Sequence, residues 1–234
     1  MEVESNSSLS ERRQELKNKY LTRLQPAIKH SGLSHLKIDD IVRFMGISKA
    51  TFYKYFSSKE DVIEQGTELV ASYFKQAATL ISNESSSHLQ RFQNAFTQSL
   101  VLAVSFPDTF LLDLKQTYPL LWERVKQAKQ EWQQQLELFY QQGIALGIFH
   151  PVSRVLVVLQ HDLLMHTILD PAFLMEHDVT LRRLLYDYYE LLKYQCLPPE
   201  IFAQMDDTPV KEFIDKMARK ISLGIYSDGE SLTP

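Results

Sequence analysis

Between Leu36 and Phe56 the chain reads LKIDDIVRFMGISKATFYKYF, two short helical periods that meet at a single glycine. Ile38, Ile41, Val42 and Met45 recur three and four residues apart and mark one face of a short helix. Gly46 is free to adopt the positive φ of a tight turn, and Ser48 is placed to cap a following helix on which Phe52 and Phe56 share a face. Helices this short cannot persist alone in water, so their apolar faces must close on each other and on a neighbouring helix. That restricts this stretch to a small three-helix unit with Ile38, Ile41, Val42, Ile47, Phe52 and Phe56 as its core. The remaining residues of the last helix, Lys49, Thr51, Tyr53, Lys54 and Tyr55, are then expected to face outward.

The rest of the chain follows the same helical period. Ser8 with Glu11 fits a capping box opening a first helix through Leu16, Tyr20, Leu24, Ala27 and Ile28 to a stop at Gly32. Ser57 with Glu60 fits another, opening a long helix to about Ile81. Beyond the serine-rich loop at 83–88, helices are expected near 89–105, 109–117, 120–146, 153–169 and 179–196. Thr208 and Pro209 start a last one whose apolar stripe is Val210, Phe213, Ile214, Met217 and Ile221. No strand alternation is found and only 7 glycines occur in 234 residues, so the expected class is all-α. The expected domains are a helix-turn-helix head over 1–66, an all-helical body over 67–226 and a tail over 227–234.

Charge is divided unevenly. Residues 1–60 hold 11 Lys and Arg against 7 Asp and Glu, whereas the whole chain has 25 against 29. A basic head on an acidic body is compatible with a polyanionic partner, because a duplex responds to the face presented to it. The outward groups of the third short helix are amines, hydroxyls and phenols, which donate to phosphate oxygens and base edges. Lys59 sits in the first turn of its helix, where a cation opposes the helix dipole unless an anion docks there.

These residues together carry a resemblance. Gly32, Ile41, the Gly46-Ile47-Ser48 turn, Thr51-Phe52-Tyr53, Phe56 and Ser58-Lys59-Glu60 make the run from about 12 to 66 similar to the TetR/AcrR family of one-component bacterial regulators. The resemblance implies DNA binding, with Lys49 and Lys54 in or beside the major groove and Ser48, Thr51, Tyr53, Tyr55 and Lys59 on the backbone. Lys37, Met45, Ala50 and Tyr55 stand where the family commonly has threonine, alanine, glycine and histidine. Lys37 thus lacks the usual capping group and is assigned instead to a phosphate, and Ala50 is kept in the DNA-facing set.

For the body, the resemblance implies an effector-binding and dimerising helical domain, with 153–169 and 179–196 forming a four-helix interface between two copies. A pocket for a small apolar or amphipathic effector is sought at Phe110, Tyr118, Trp122, Trp132, Phe139, His161, Met165 and His166, apolar walls with a few polar handles. His161 and His166 are five residues apart, a spacing that does not suit two ligands of one metal, so no metal or cofactor is expected. No phosphate loop, nucleophile elbow or acid–base pair is present, and no enzyme activity is expected. The lone Cys196 and the absence of a signal peptide or an apolar span imply a cytoplasmic protein.

The leading expectation is a repressor released from a palindromic operator by its effector. The alternatives are a DNA-binding regulator controlled by a protein partner, suggested by the amphipathic 209–223 segment, and a helical small-molecule-binding protein without DNA recognition.

Overall fold

The computed structural model describes residues 2–24, 27, 28, 32, 34–105 and 108–223. Among them are helices α1 (Glu2–Thr22), α2 (Ile38–Met45), α3 (Lys49–Tyr55), α4 (Lys59–Ser82), α5 (His88–Ser105) and α6 (Asp108–Thr117). These are followed by α7 (Pro119–Ala145), α8 (Arg154–Ile168), α9 (Pro171–Glu176), α10 (Leu181–Cys196), α11 (Pro199–Phe202) and α12 (Thr208–Ser222). No strand occurs among the described residues, and the fold is all-α.

Helix ends depart from the sequence expectation at identifiable places. The first helix already begins at Glu2, so Ser8 lies inside it, and it ends at Thr22 well before Gly32. Gly32 does end a turn, at φ 70° with its N–H donated to the Ile28 carbonyl at 2.9 Å. The cap of α4 is Ser58 rather than Ser57: the Ser58 hydroxyl accepts from the Asp61 N–H at 3.2 Å. The Asp61 carboxylate in return accepts from the Ser57 N–H at 2.7 Å, which moves the expected box by one residue.

The described chain forms two compact units. The first lies within 1–71 and 106–126, so α6 and the start of α7 join the head although the chain reaches them only after leaving it. Its core is built from Leu21, Leu24, Ile41, Met45, Phe52, Phe56, Val62 and Ile63, all buried. Asp113 on α6 accepts from the Ser34 N–H at 2.7 Å, and Arg124 on α7 reaches Glu64 and Glu68 of α4 at 3.2 and 2.8 Å.

The second unit lies within 72–105 and 127–223. Its centre is α5, which buries residues on every side and packs against α8 and α12, while α10 packs against the same two helices. An aromatic cluster of Phe92, Phe96, Phe139, Tyr140, Phe149 and Tyr189 fills the interior. Gly143 permits it: a Cβ there would meet the Phe149 ring at 2.1 Å. The buried Lys193 donates to Asp207, which flanks α12, and pairs with Glu190 at 2.9 Å, while the Tyr189 hydroxyl donates to Asp207 at 2.7 Å. Of the expected stripe, Val210, Phe213, Ile214 and Met217 are buried in the unit and Ile221 is half-buried at its end.

Removing one partner of a buried ion pair strands the other charge, at a cost of about 3–5 kcal/mol. Asp207→Ala is therefore expected to lower unfolding stability by that order, measured by urea denaturation, and pairing it with Lys193→Met should recover much of the loss.

Candidate nucleic-acid interface

The turn between α2 and α3 is held by backbone geometry. Gly46 stands at φ 67°, ψ 39°, its N–H donating to the Arg43 carbonyl, and the Ile47 N–H reaches Val42 at 3.1 Å. These bonds satisfy the last carbonyls of α2 and reverse the chain within two residues. Ser48 then caps α3 by accepting from the Thr51 N–H at 3.1 Å. Inside the angle, Ile41, Met45, Phe52 and Phe56 are buried, while Ile38, Val42 and Ile47, expected in the same core, are only half-buried at its rim.

The outer face is mostly as the helical period dictates. Ser48, Lys49, Ala50, Tyr53 and Lys54 are exposed, with Thr51 half-buried and its hydroxyl 2.9 Å from that of Ser48. Lys49 pairs with Asp39 of α2 at 2.6 Å, and the hydrogen bond and charge of Asp39 raise its pKa. Lys37 is exposed at the start of α2; its ammonium cannot accept a bond, but its N–H donates to Asp40 at 3.2 Å, supplying half of a capping box.

Two residues of the DNA-facing set turn instead toward the head. Tyr55 is half-buried, edge-on to Tyr20 of α1 with ring centroids 5.4 Å apart, because position 55 follows Phe52 by three and turns toward the same side. Lys59 is half-buried as well, and its ammonium donates to the Ser34 carbonyl. The conflict between that cation and the α4 dipole is thus met by a backbone acceptor inside the head, without an outside anion.

Sequence reading also missed two arginines, Arg13 in α1 and Arg23 just past its end. Arg23 donates to the Met45 carbonyl at 2.8 Å and Arg13 to the Lys54 carbonyl at 2.8 Å, so α1 and the turn that follows it tie down the C-terminal ends of α3 and α2. Carbonyls there lack intrahelical partners, and a cation is favoured beside them. The contacts span 22 and 41 residues, beyond any local sequence signal.

The eight residues sought for an effector pocket are divided between the units. Phe110, Tyr118 and Trp122 lie in the first, and Trp132, Phe139, His161, Met165 and His166 in the second. Burial, with the charges of Glu60 and Asp113, raises the Tyr118 pKa. In the second unit Phe139 packs on Tyr140 at 5.2 Å, and Tyr140 bonds His161 Nε2 at 3.0 Å, with the Tyr188 hydroxyl 3.5 Å from Nδ1. His161 is thereby enclosed, and burial lowers its pKa to about 4. Among the described residues no cluster of His, Cys, Asp and Glu is arranged to hold a metal ion.

Because His161 stays neutral in the fold while an unfolded histidine protonates near 6.5, the unfolded chain binds the extra proton between pH 6.5 and 4. Stability should fall as pH drops through that window, by up to about 1.4 kcal/mol per pH unit from this group. In denaturant titrations across it, His161→Gln is expected to show a shallower pH dependence than the parent chain.

Comparison with known proteins agrees with this geometry. Residues 27–65 match the model of bacterial regulatory proteins of the tetR family. No curated protein matches the chain by sequence. The ketosteroid transcriptional regulator KstR2 of Mycobacterium tuberculosis shares the fold at a TM-score of 0.59 and 16% identity, over 78% of this chain and 95% of that one. A putative transcriptional regulator from Saccharomonospora viridis in complex with choline does so at 0.58 and 15%, over 81% and 99%. A TetR transcriptional regulator from Chloroflexus aurantiacus follows at 0.56 and 18%, over 80% and 98%. Residues 27–65 thus match the helix-turn-helix of the tetR family, and the chain shares its all-helical fold with solved regulators.

Proposed function

We propose that the protein is a repressor that binds a near-palindromic operator as a homodimer and lets go when a small organic effector occupies its helical body. The observation that carries the reading is the face of α3: Lys49, Tyr53 and Lys54 stand exposed on a helix whose cap, turn and C-terminal carbonyl are all held by the rest of the head. A rigid, cation-bearing helix of this size fits the major groove, with hydroxyls and amines placed for phosphates and base edges. Lys37, Ser48, Ala50 and Thr51 complete the DNA-facing set in this reading, while Tyr55 and Lys59, half-buried against Tyr20 and Ser34, support it from inside the head. The Lys49–Asp39 pair is solvent-exposed, so it holds Lys49 weakly and a phosphate can displace it.

Dimerisation is assigned to α8 and α10. Val155, Leu156, Leu159 and Leu163 are 46–61% exposed on α8, and Leu191 and Tyr194 on α10 are 55% and 65% exposed. Aliphatic groups so close together on one surface are ordinarily covered by a partner. A second copy offers the same faces in a symmetric interface. Replacing Leu156 and Leu163 by Asp should convert a dimer into a monomer in analytical ultracentrifugation while the circular dichroism stays helical.

An effector acts by preferring one spacing of the two heads, and α4, unbroken over 24 residues from Lys59 to Ser82, is the element that carries the change. That a protein of the same fold is in complex with choline supports a small organic molecule as the signal. The buried Cys196 thiol, its pKa pushed up to about 12 by burial, suits a cytoplasmic protein without disulfides. Control by a protein docking on the last helix is less favoured, because α12 spends its apolar face inside the unit.

Capture of genomic DNA fragments by the purified full-length protein tests the reading: it should retain particular fragments over bulk competitor, and no retention even at low salt overturns it. Tyr53→Phe and Lys54→Ala should weaken binding, whereas Asp39→Asn, which frees Lys49, should tighten it a few-fold on every duplex, read by fluorescence anisotropy.

A further inference from the structure

α1 does more than brace α3; it brings a second cation to the end of it. Besides its bond to the Lys54 carbonyl, the Arg13 guanidinium lies over the Tyr55 ring at 5.8 Å from the centroid, and the Lys54 ammonium lies 5.8 Å from the same centroid. Arg13 and Lys54 are both exposed.

Most of the head's other cations near α2 and α3, the exposed Lys37 apart, are committed differently. Lys49 is paired with Asp39, Arg43 with Asp40 at 2.8 Å, Lys59 donates to Ser34, and Arg23 to Met45. Lys17 stands 5.9 Å from the Phe56 ring with its charge acting on Asp61. No ion pair of Arg13 or Lys54 occurs among the described residues, and both cations approach the same aromatic ring. A guanidinium carries five donors in a fixed fork, and the Lys54 carbonyl takes one. The remaining donors match the geometry of a phosphate.

We propose that Arg13 and Lys54 form a phosphodiester-binding site at the C-terminal end of α3, so that the sugar-phosphate backbone beside the groove is gripped by α1 as well as by the helix-turn-helix. This rests on the DNA-binding reading of α3 and adds to it a contact outside residues 27–65, the segment that matches the family model. The site neutralises backbone charge and is therefore indifferent to base sequence, and it shows itself in salt dependence rather than in specificity.

Arg13→Gln separates this from a bracing role, because the amide retains an N–H for the Lys54 carbonyl and loses the charge. Full-length protein is titrated into a labelled mixed-sequence DNA duplex over a series of salt concentrations, and binding is read by anisotropy. The expected result is a slope of log affinity against log salt shallower by about 0.9 for Arg13→Gln and again for Lys54→Gln, with the melting temperature kept. If Arg13→Gln retains the parent slope, whether or not affinity falls, Arg13 only holds α3 in place and the proposal fails while the DNA-binding reading survives. If the parent protein binds no duplex at low salt, that reading falls and takes this site with it.

Discussion

The burial of Phe52 and Phe56 is the constraint on which the reading head depends. Their rings are 5.5 Å apart and sealed by Ile41 and Met45 of α2, and that contact sets α3 across α2 at a turn only Gly46 makes without strain. Once Phe52 points inward, the helical period turns Lys49, Tyr53 and Lys54 outward. Removing a ring of that size from a close-packed core costs about 3–5 kcal/mol, comparable with the whole stability of a small helical unit. Recognition chemistry on the outside is therefore inseparable from apolar packing on the inside.

Around that contact the first unit adds polar fastenings from distant parts of the chain. Arg13 and Arg23 tie the ends of α3 and α2 to α1 and to the turn just after it, and Asp113 and Arg124 bring α6 and α7 onto the segments near Ser34 and Glu64. Each is exposed or half-buried and contributes modestly, of order 1 kcal/mol. Their effect is directional: they fix where helices end and which side chains remain free. The second unit uses a costlier device, the buried Lys193 with Asp207, Glu190 and Tyr189, at the junction where α12 meets α10. A buried charge tolerates few alternative arrangements, which favours one register for the terminal helix.

The helical period, the caps and the positive-φ glycines were legible without coordinates because they are local. The expected helices near 89–105, 120–146, 153–169 and 179–196 match α5, α7, α8 and α10 within two residues at each end. Local rules slipped by one residue where two serines compete for one cap, at Ser57 and Ser58, and they overlooked α9 and α11, which are too short to show a period. Of the residues expected to face outward, Lys49, Tyr53 and Lys54 are exposed, and Thr51 is half-buried beside the Ser48 cap. Tyr55, expected outward, and Lys59, expected to meet a phosphate, each find a partner on another element, Tyr20 in α1 and Ser34 before α2.

Sequence alone determined that this chain is helical throughout, that a short helix-turn-helix stands near its start, and which face of α3 is apolar; these follow from spacing along a helix, a one-dimensional property. Tertiary structure alone decided which of the outward cations are already paired, that α6 belongs with the head, and that Arg13 shares the end of α3 with Lys54. Such outcomes depend on residues dozens of positions apart meeting in space, and charge pairing at a few ångströms leaves no trace in the local pattern of either partner.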